Sequence, residues 1–181
     1  MDISNLISEL KQGKELAFKE LVFGFSGRLM TIARIYSKNE EDAKDLLQDA
    51  FILVFKKVSS FEGTKEAALY GWMKKIVINL ALSRNQRKFR TMEHSLDAMG
   101  IEKMIDEEII ATLSHSEIMK LIFDLPDGYR QVLALYAIEG YSHKEVASFL
   151  GIRESSSRSR YSRARKMLQA KYIDLNKIMT A

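Results

Sequence analysis

Apolar residues recur along almost the whole chain at intervals of three and four, the spacing of helices that bury one side. Leu6, Ile7 and Leu10 predict a short first helix, broken around Gln12 and Gly13. Leu16, Phe18, Leu21, Val22, Phe25, Leu29, Ile32, Ala33 and Tyr36 predict a longer second one. Asn39 begins a third, with Glu40, Glu41 and Asp42 where negative charge suits the helix dipole. Its predicted buried side is Ala43, Leu46, Leu47, Ala50, Phe51, Val54, Phe55 and Val58. Phe61 to Gly71 carries two glycines and reads as a loop, after which Trp72, Met73, Ile76, Val77, Leu80 and Ala81 form the stripe of a helix starting near Tyr70.

A second group of helices opens at about Ser116 with Ile118, Met119, Leu121, Ile122 and Phe123, and ends at Leu125 and Pro126. Asp127 is a candidate cap for the next helix, whose Val132, Leu133, Leu135, Tyr136 and Ile138 precede a stop at Gly140. The segment Tyr141 to Leu168 then reads as two helices and a tight turn. Ser142 with Glu145 has the capping-box spacing, and Val146, Ala147, Phe149 and Leu150 are the apolar side. Gly151 breaks the helix, Ile152 plugs the corner, and Ser155 is a plausible second N-cap. Tyr161, Ala164 and Leu168 supply the inner side of the last helix. The fold class is therefore all-α: two small helical domains joined by a linker, the C-terminal one containing a helix-turn-helix.

Charge divides the chain in the same way. Arg153 to Lys171 holds seven cations and one acid, in a chain whose formal net charge is only +4. A solvated charged face is the ordinary reading of such a run. Here the cations follow a Ser-rich start on the second helix of a helix-turn-helix, where side chains reach bases and phosphates of a major groove. The other basic patch is Arg84, Asn85, Gln86, Arg87, Lys88 and Arg90, at the exit of the Trp72 helix. Phe61, Tyr70 and Trp72 beside it are either core residues or platforms for unpaired bases, a contact that contributes about 1–3 kcal/mol per base. On the third helix, Asp42, Asp45, Gln48, Asp49 and the apolar Ile52 share an exposed strip, either a solvated acidic face or a protein-docking surface. Between the domains, Glu93 to Glu117 carries seven acids and one lysine, which DNA would repel, while Met92, Met99, Met104, Ile105, Ile109 and Ile110 predict docking on a domain of this chain or a partner.

With 181 residues, 46% of them hydrophobic and 29% charged, the chain holds one ordinary domain or two small ones with real cores. No cysteine is present, which removes disulfides and thiolate metal sites and suits a reducing compartment. Without a long uncharged apolar run, or a signal-like start between Met1 and Lys14, the expected location is cytoplasmic. His94, His115 and His143 have no metal-ligand spacing and no nucleophile pattern beside them, and no Gly-rich phosphate cradle occurs. Asp106 to Glu108 suits a solvated linker better than a cation site. The expectation is a protein with no catalytic residues and no cofactor.

Three stretches in order resemble the sigma-70 family of RNA polymerase sigma factors, in its short extracytoplasmic-function (ECF) group. DAKDLLQDAF, Asp42 to Phe51, is similar to the family's polymerase-docking helix. GWMKKIVINLALSRNQRK, Gly71 to Lys88, is similar to the helix that reads the −10 promoter element. The segment from Leu125 to Leu168 resembles the domain that reads the −35 element. The resemblance covers roughly three quarters of the chain and implies a sigma region 2 domain at 1–90, an acidic linker at 91–115, a region 4 domain at 116–174 and a tail at 175–181.

It also implies roles. Asp45, Gln48, Asp49 and Ile52 would dock on the coiled coil of the largest subunit of core RNA polymerase, and the second domain would sit on the flap of the second-largest. The Phe61 to Gly71 loop would capture a base flipped from the melted strand, with Phe61, Tyr70 and Trp72 beside it. Asn79 would read a base edge, and Lys74, Lys75, Arg84, Arg87 and Lys88 would hold phosphates. Ser156, Arg158, Ser159, Arg160 and Arg163 would contact the −35 element. Promoter DNA and core polymerase are the implied partners, an anti-sigma factor is a further one, and no small-molecule substrate is implied. Leu69 stands for a usual Phe and Ser83 for a usual Asp. Ser157 stands where the family generally has an apolar residue, which predicts a looser hairpin or a slightly rotated contact face. The competing reading is a free-standing helix-turn-helix regulator whose front half serves dimerisation or sensing.

Overall fold

The structure is a computed structural model that describes residues 3–89 and 115–179, with side chains described across 3–84 and 117–174. Among the described residues every regular element is a helix. They form two compact units, one up to Arg84 and one from Asn85.

The first unit contains α1 (Ile3–Lys11), α2 (Glu15–Tyr36), α3 (Glu40–Lys57) and α4 (Glu66–Phe89). The break between α1 and α2 falls at Gly13, whose φ of 74° is a left-handed conformation that glycine adopts without penalty. Asn39 caps α3, its side chain accepting from the Asp42 N–H at 2.8 Å. Arg34, near the end of α2, donates twice to the Glu40 carboxylate at 2.7 and 2.8 Å. This hydrogen-bonded pairing raises the Arg34 pKa and holds Glu40 below its ordinary value. Leu6, Leu21, Leu29, Leu46, Val54, Leu69, Met73 and Val77 meet in the core.

Several helical faces differ from their expected register. Leu16 is 79% exposed and Ala17 is buried in its place, because the inner face of α2 runs Ala17, Leu21, Phe25, Leu29, Ala33. Phe55 is half exposed and packs its ring against Phe18, the centroids 5.2 Å apart. The expected loop up to Gly71 is shorter: α4 starts at Glu66 and takes Gly71 into its interior. Glu66, Ala67, Ala68 and Leu69 favour helix, and burying Leu69 completely offsets the roughly 1 kcal/mol that an interior glycine costs. Accordingly the buried stripe of α4 is Leu69, Met73, Val77, Ile78, Ala81 and Leu82, while Trp72, Ile76 and Leu80 flank it half-buried.

The second unit contains α5 (His115–Phe123), α6 (Asp127–Leu133), a π turn (Ala134–Ile138), α7 (His143–Leu150) and α8 (Glu154–Met179). Ile122, Leu125, Leu133 and Ala164 centre one core cluster, flanked by Ile118, Met119, Tyr129, Tyr161, Met167 and Leu168. Asp127 does not cap α6; it is the first helical residue, and its carboxylate accepts from Arg130 at 2.7 Å. The nearly buried Arg130 also donates to the Phe123 and Leu125 carbonyls, satisfying chain-end acceptors of α5 and its loop. Ser155 likewise lies inside α8 rather than at its cap: the helix begins at Glu154, and the Ser157 N–H reaches the Arg153 carbonyl. At the other end α8 continues to Met179, into the residues expected to form a tail, since no Gly or Pro interrupts it.

The register of these faces predicts unequal mutational costs. Met73→Ala should destabilise the first unit by about 2–5 kcal/mol in urea unfolding, whereas Leu16→Ala should stay within about 0.5 kcal/mol.

Candidate functional site

On α3, burial of Ala43, Leu46, Leu47, Ala50 and Val54 leaves Asp45, Gln48, Asp49 and Ile52 exposed together. Their spacing of three and four residues makes them one strip, and Ile52 is 45% exposed within it. Two carboxylates, an amide and one apolar side chain suit a basic partner surface with an apolar contact. Arg84 of α4 reaches this strip: its guanidinium pairs with the Asp49 carboxylate and lies 3.4 Å from the Asp45 carbonyl oxygen. The cation expected to hold phosphate is thus engaged on the acidic strip in this structure.

The aromatic group expected at the loop is divided by burial. Phe61 is 6% exposed, its ring 5.2 Å from that of Trp72, so it is a core residue here and not an open stacking platform. Gly63 makes the fold of the loop possible, since a Cβ there would come within 2.4 Å of the Phe61 ring. Trp72 and Tyr70 remain half-buried. Over the Tyr70 ring, 4.1 Å from its centre, lies the Arg28 guanidinium, which also pairs with Glu66 at 2.7 Å. Arg28 was not foreseen, because nothing in sequence spacing links α2 to residues nearly forty positions later. Lys75 and Asn79 are exposed one turn apart on α4, with Trp72 one turn before them and Lys74 half-buried alongside. Arg87 and Lys88 stand in the last turn of α4, their side chains outside the described residues.

In the second unit the expected helix-turn-helix is present. Ser142 and Glu145 form the capping box: the Glu145 carboxylate accepts from the Ser142 hydroxyl at 2.7 Å and its N–H at 2.9 Å. Those bonds hold the Glu145 pKa below its ordinary value. Gly151, at φ 65°, turns the chain into α8. Arg158 is exposed and paired with Glu154 at 2.8 Å. The half-buried Ser159 donates its hydroxyl to the Ser156 carbonyl, and Ser156 is half-buried as well. Arg160 turns back over the start of α6, where Gly128 leaves room for its guanidinium. Arg163 is half-buried. Arg153 and Lys166, which the expected contact set left out, are exposed on the same helix region. Ser157 is fully buried, and its Oγ lies 3.0 Å from His143 Nδ1, so its polar atom has a partner inside the hairpin.

Known proteins match both units of this chain in the same order. Sigma-70 region 2 matches residues 23–91, and sigma-70 region 4 matches residues 115–168. The RNA polymerase sigma factor NccH of Alcaligenes xylosoxydans xylosoxydans is 31% identical over 88% of both chains. The chain belongs to the sigma-70 family, in its ECF group. ECF RNA polymerase sigma factor SigW of Bacillus subtilis is 26% identical over 97% of this chain and 99% of its own length. ECF RNA polymerase sigma factor SigE of Mycolicibacterium smegmatis is 31% identical, and this chain spans 60% of that longer relative. As a sigma factor the protein acts in transcription initiation, with RNA polymerase and promoter DNA as its partners.

Among the described residues no group of His, Asp or Glu could hold a metal ion, and no helix is long and apolar enough to cross a membrane. Ser142→Ala should lower the stability of the second unit by about 1 kcal/mol, measured by urea unfolding, because the cap of α7 loses its acceptor.

Proposed function

We propose that this ECF sigma factor divides initiation among three surfaces. The exposed strip Asp45, Gln48, Asp49 and Ile52 docks on a basic coiled-coil surface of core RNA polymerase. Lys75 and Asn79 of α4, with Trp72, Tyr70 and Lys74 beside them, meet the −10 element as it melts, and Arg87 and Lys88 hold its phosphates, joined by Arg84 only once it leaves its pairing with Asp49. Ser156, Arg158, Ser159, Arg160 and Arg163 of α8 meet the −35 element in the major groove. The expected linker lies outside the described residues, and the chain works in the cytoplasm, binding and positioning without catalysing a reaction.

The observation that carries this reading is the α3 strip. Helical packing leaves both carboxylates, the amide and Ile52 together on one exposed side, a combination that fits a basic partner surface with one apolar contact. Phosphate contacts supply salt-dependent affinity, while Asn79 and the α8 arginines supply choice of sequence. Phe61, buried against Trp72, would have to leave its packing before it could stack on a base.

Reversing the strip tests the reading. Asp45→Lys combined with Asp49→Lys should reduce association with bacterial core RNA polymerase at least about tenfold, since juxtaposed like charges cost several kcal/mol. Promoter-directed transcription should fall with it, and the circular dichroism of the free chain should not change. Unaltered association would remove the strip from the docking surface.

A further inference from the structure

The buried polar contact inside the helix-turn-helix has no part in contacting either partner. Ser157 is fully buried on the inner side of α8, on the same face as Tyr161 and Ala164. Its hydroxyl meets Nδ1 of His143, the first residue of α7, at 3.0 Å. His143 is only 9% exposed. Its ring stacks on Tyr136 with centroids 3.9 Å apart and planes 7° from parallel, and Tyr161 closes the other approach at 5.7 Å. Tyr136 and Tyr161 touch each other at 4.6 Å. Tyr136 comes from the π turn, where the widened helix lets the Glu139 N–H reach back to Ala134 and that of Tyr141 to Leu135. Three successive elements thus converge on one imidazole.

We propose that His143 is a positioning residue for promoter reading, its hydrogen bond to Ser157 fixing the depth and roll of α8 and so which of its side chains reach the −35 bases. An apolar pair at this crossing would tolerate sliding, since dispersion contacts are non-directional, whereas a hydrogen bond confines donor and acceptor to a few tenths of an ångström and a narrow angle. The stack on Tyr136 fixes the plane of the imidazole and thereby the direction of that bond. Ser157 lies between Ser156 and Arg158, so any roll of α8 about this contact swings both, together with Ser159 and Arg160, across the groove. His143 is too buried to touch DNA and acts only through α8. The exchange of an apolar residue for Ser157 is thereby compensated within the chain, and the hairpin is held rather than loosened.

This inference rests on the assignment of α8 to the −35 element. Its test uses the full chain in holoenzyme with bacterial core RNA polymerase, on genomic fragments captured by the wild type and on the same fragments with the −35 segment scrambled. His143→Phe with Ser157→Ala removes both members of this hydrogen bond and keeps a ring on Tyr136, so neither is left facing a lost partner, and circular dichroism of the variant checks that it folds. Its preference for intact over scrambled fragments should fall roughly tenfold, the order expected when one base contact is misplaced. His143→Asn, which keeps a hydrogen-bonding atom near the Nδ1 position and deletes the stacked ring, should lower the melting temperature and retain most of that preference. Full preference in the double variant, or equal loss in His143→Asn, would overturn the proposal. A wild-type holoenzyme indifferent to scrambling would instead overturn the assignment of α8.

Discussion

Burying one side of a helix fixes what its other side offers, because each residue turns the helix by about 100°. In this protein that constraint decides which side chains α3, α4 and α8 present outward. α3 buries Leu46, Leu47, Ala50 and Val54, and Asp45, Gln48, Asp49 and Ile52 follow on the outside. α4 buries Met73, Val77 and Ala81, which leaves Lys75 and Asn79 outward. α8 buries Ser157 and Ala164, which leaves Arg158 and Lys166 exposed. The core and the proposed contact surfaces therefore share the same helices, on opposite sides.

The periodicity of apolar residues was enough to foresee both helical groups, the Gly13 and Gly151 turns, the Asn39 cap and the Ser142 capping box. The exposed acidic strip of α3 was also legible, since seven of the eight expected core residues of that helix are buried and the strip is what remains. Register failed where apolar residues surround a helix. Leu16 and Phe18 were placed on the inner side of α2, but Ala17 is the buried residue and Leu16 is outside. Phe23, 90% exposed on the same helix, has an apolar side chain that carries no information about burial.

Other misses come from contacts between distant residues. No spacing rule places Arg28 over Tyr70, Arg84 on Asp49, or Arg160 above Gly128. Ser157 was read as implying a looser hairpin or a slightly rotated contact face because its partner lay fourteen residues away, hidden in the first turn of another helix. Phe61 was grouped with Trp72 correctly, yet their mutual contact turns Phe61 inward. Polar satisfaction and aromatic pairing are settled by tertiary geometry, so a chain read residue by residue shows their members and not their pairing.

The central claim is that promoter choice belongs to the protein together with polymerase, the acidic strip supplying the link. Capture of specific fragments from a genomic pool, by the chain alone and with bacterial core RNA polymerase across a salt series, measures this most directly. Specific capture that appears only with polymerase present, on fragments sharing two separated elements, is the expected result. Equally specific capture by the chain alone would contradict the account and make the helix-turn-helix the DNA-binding domain of a self-sufficient regulator.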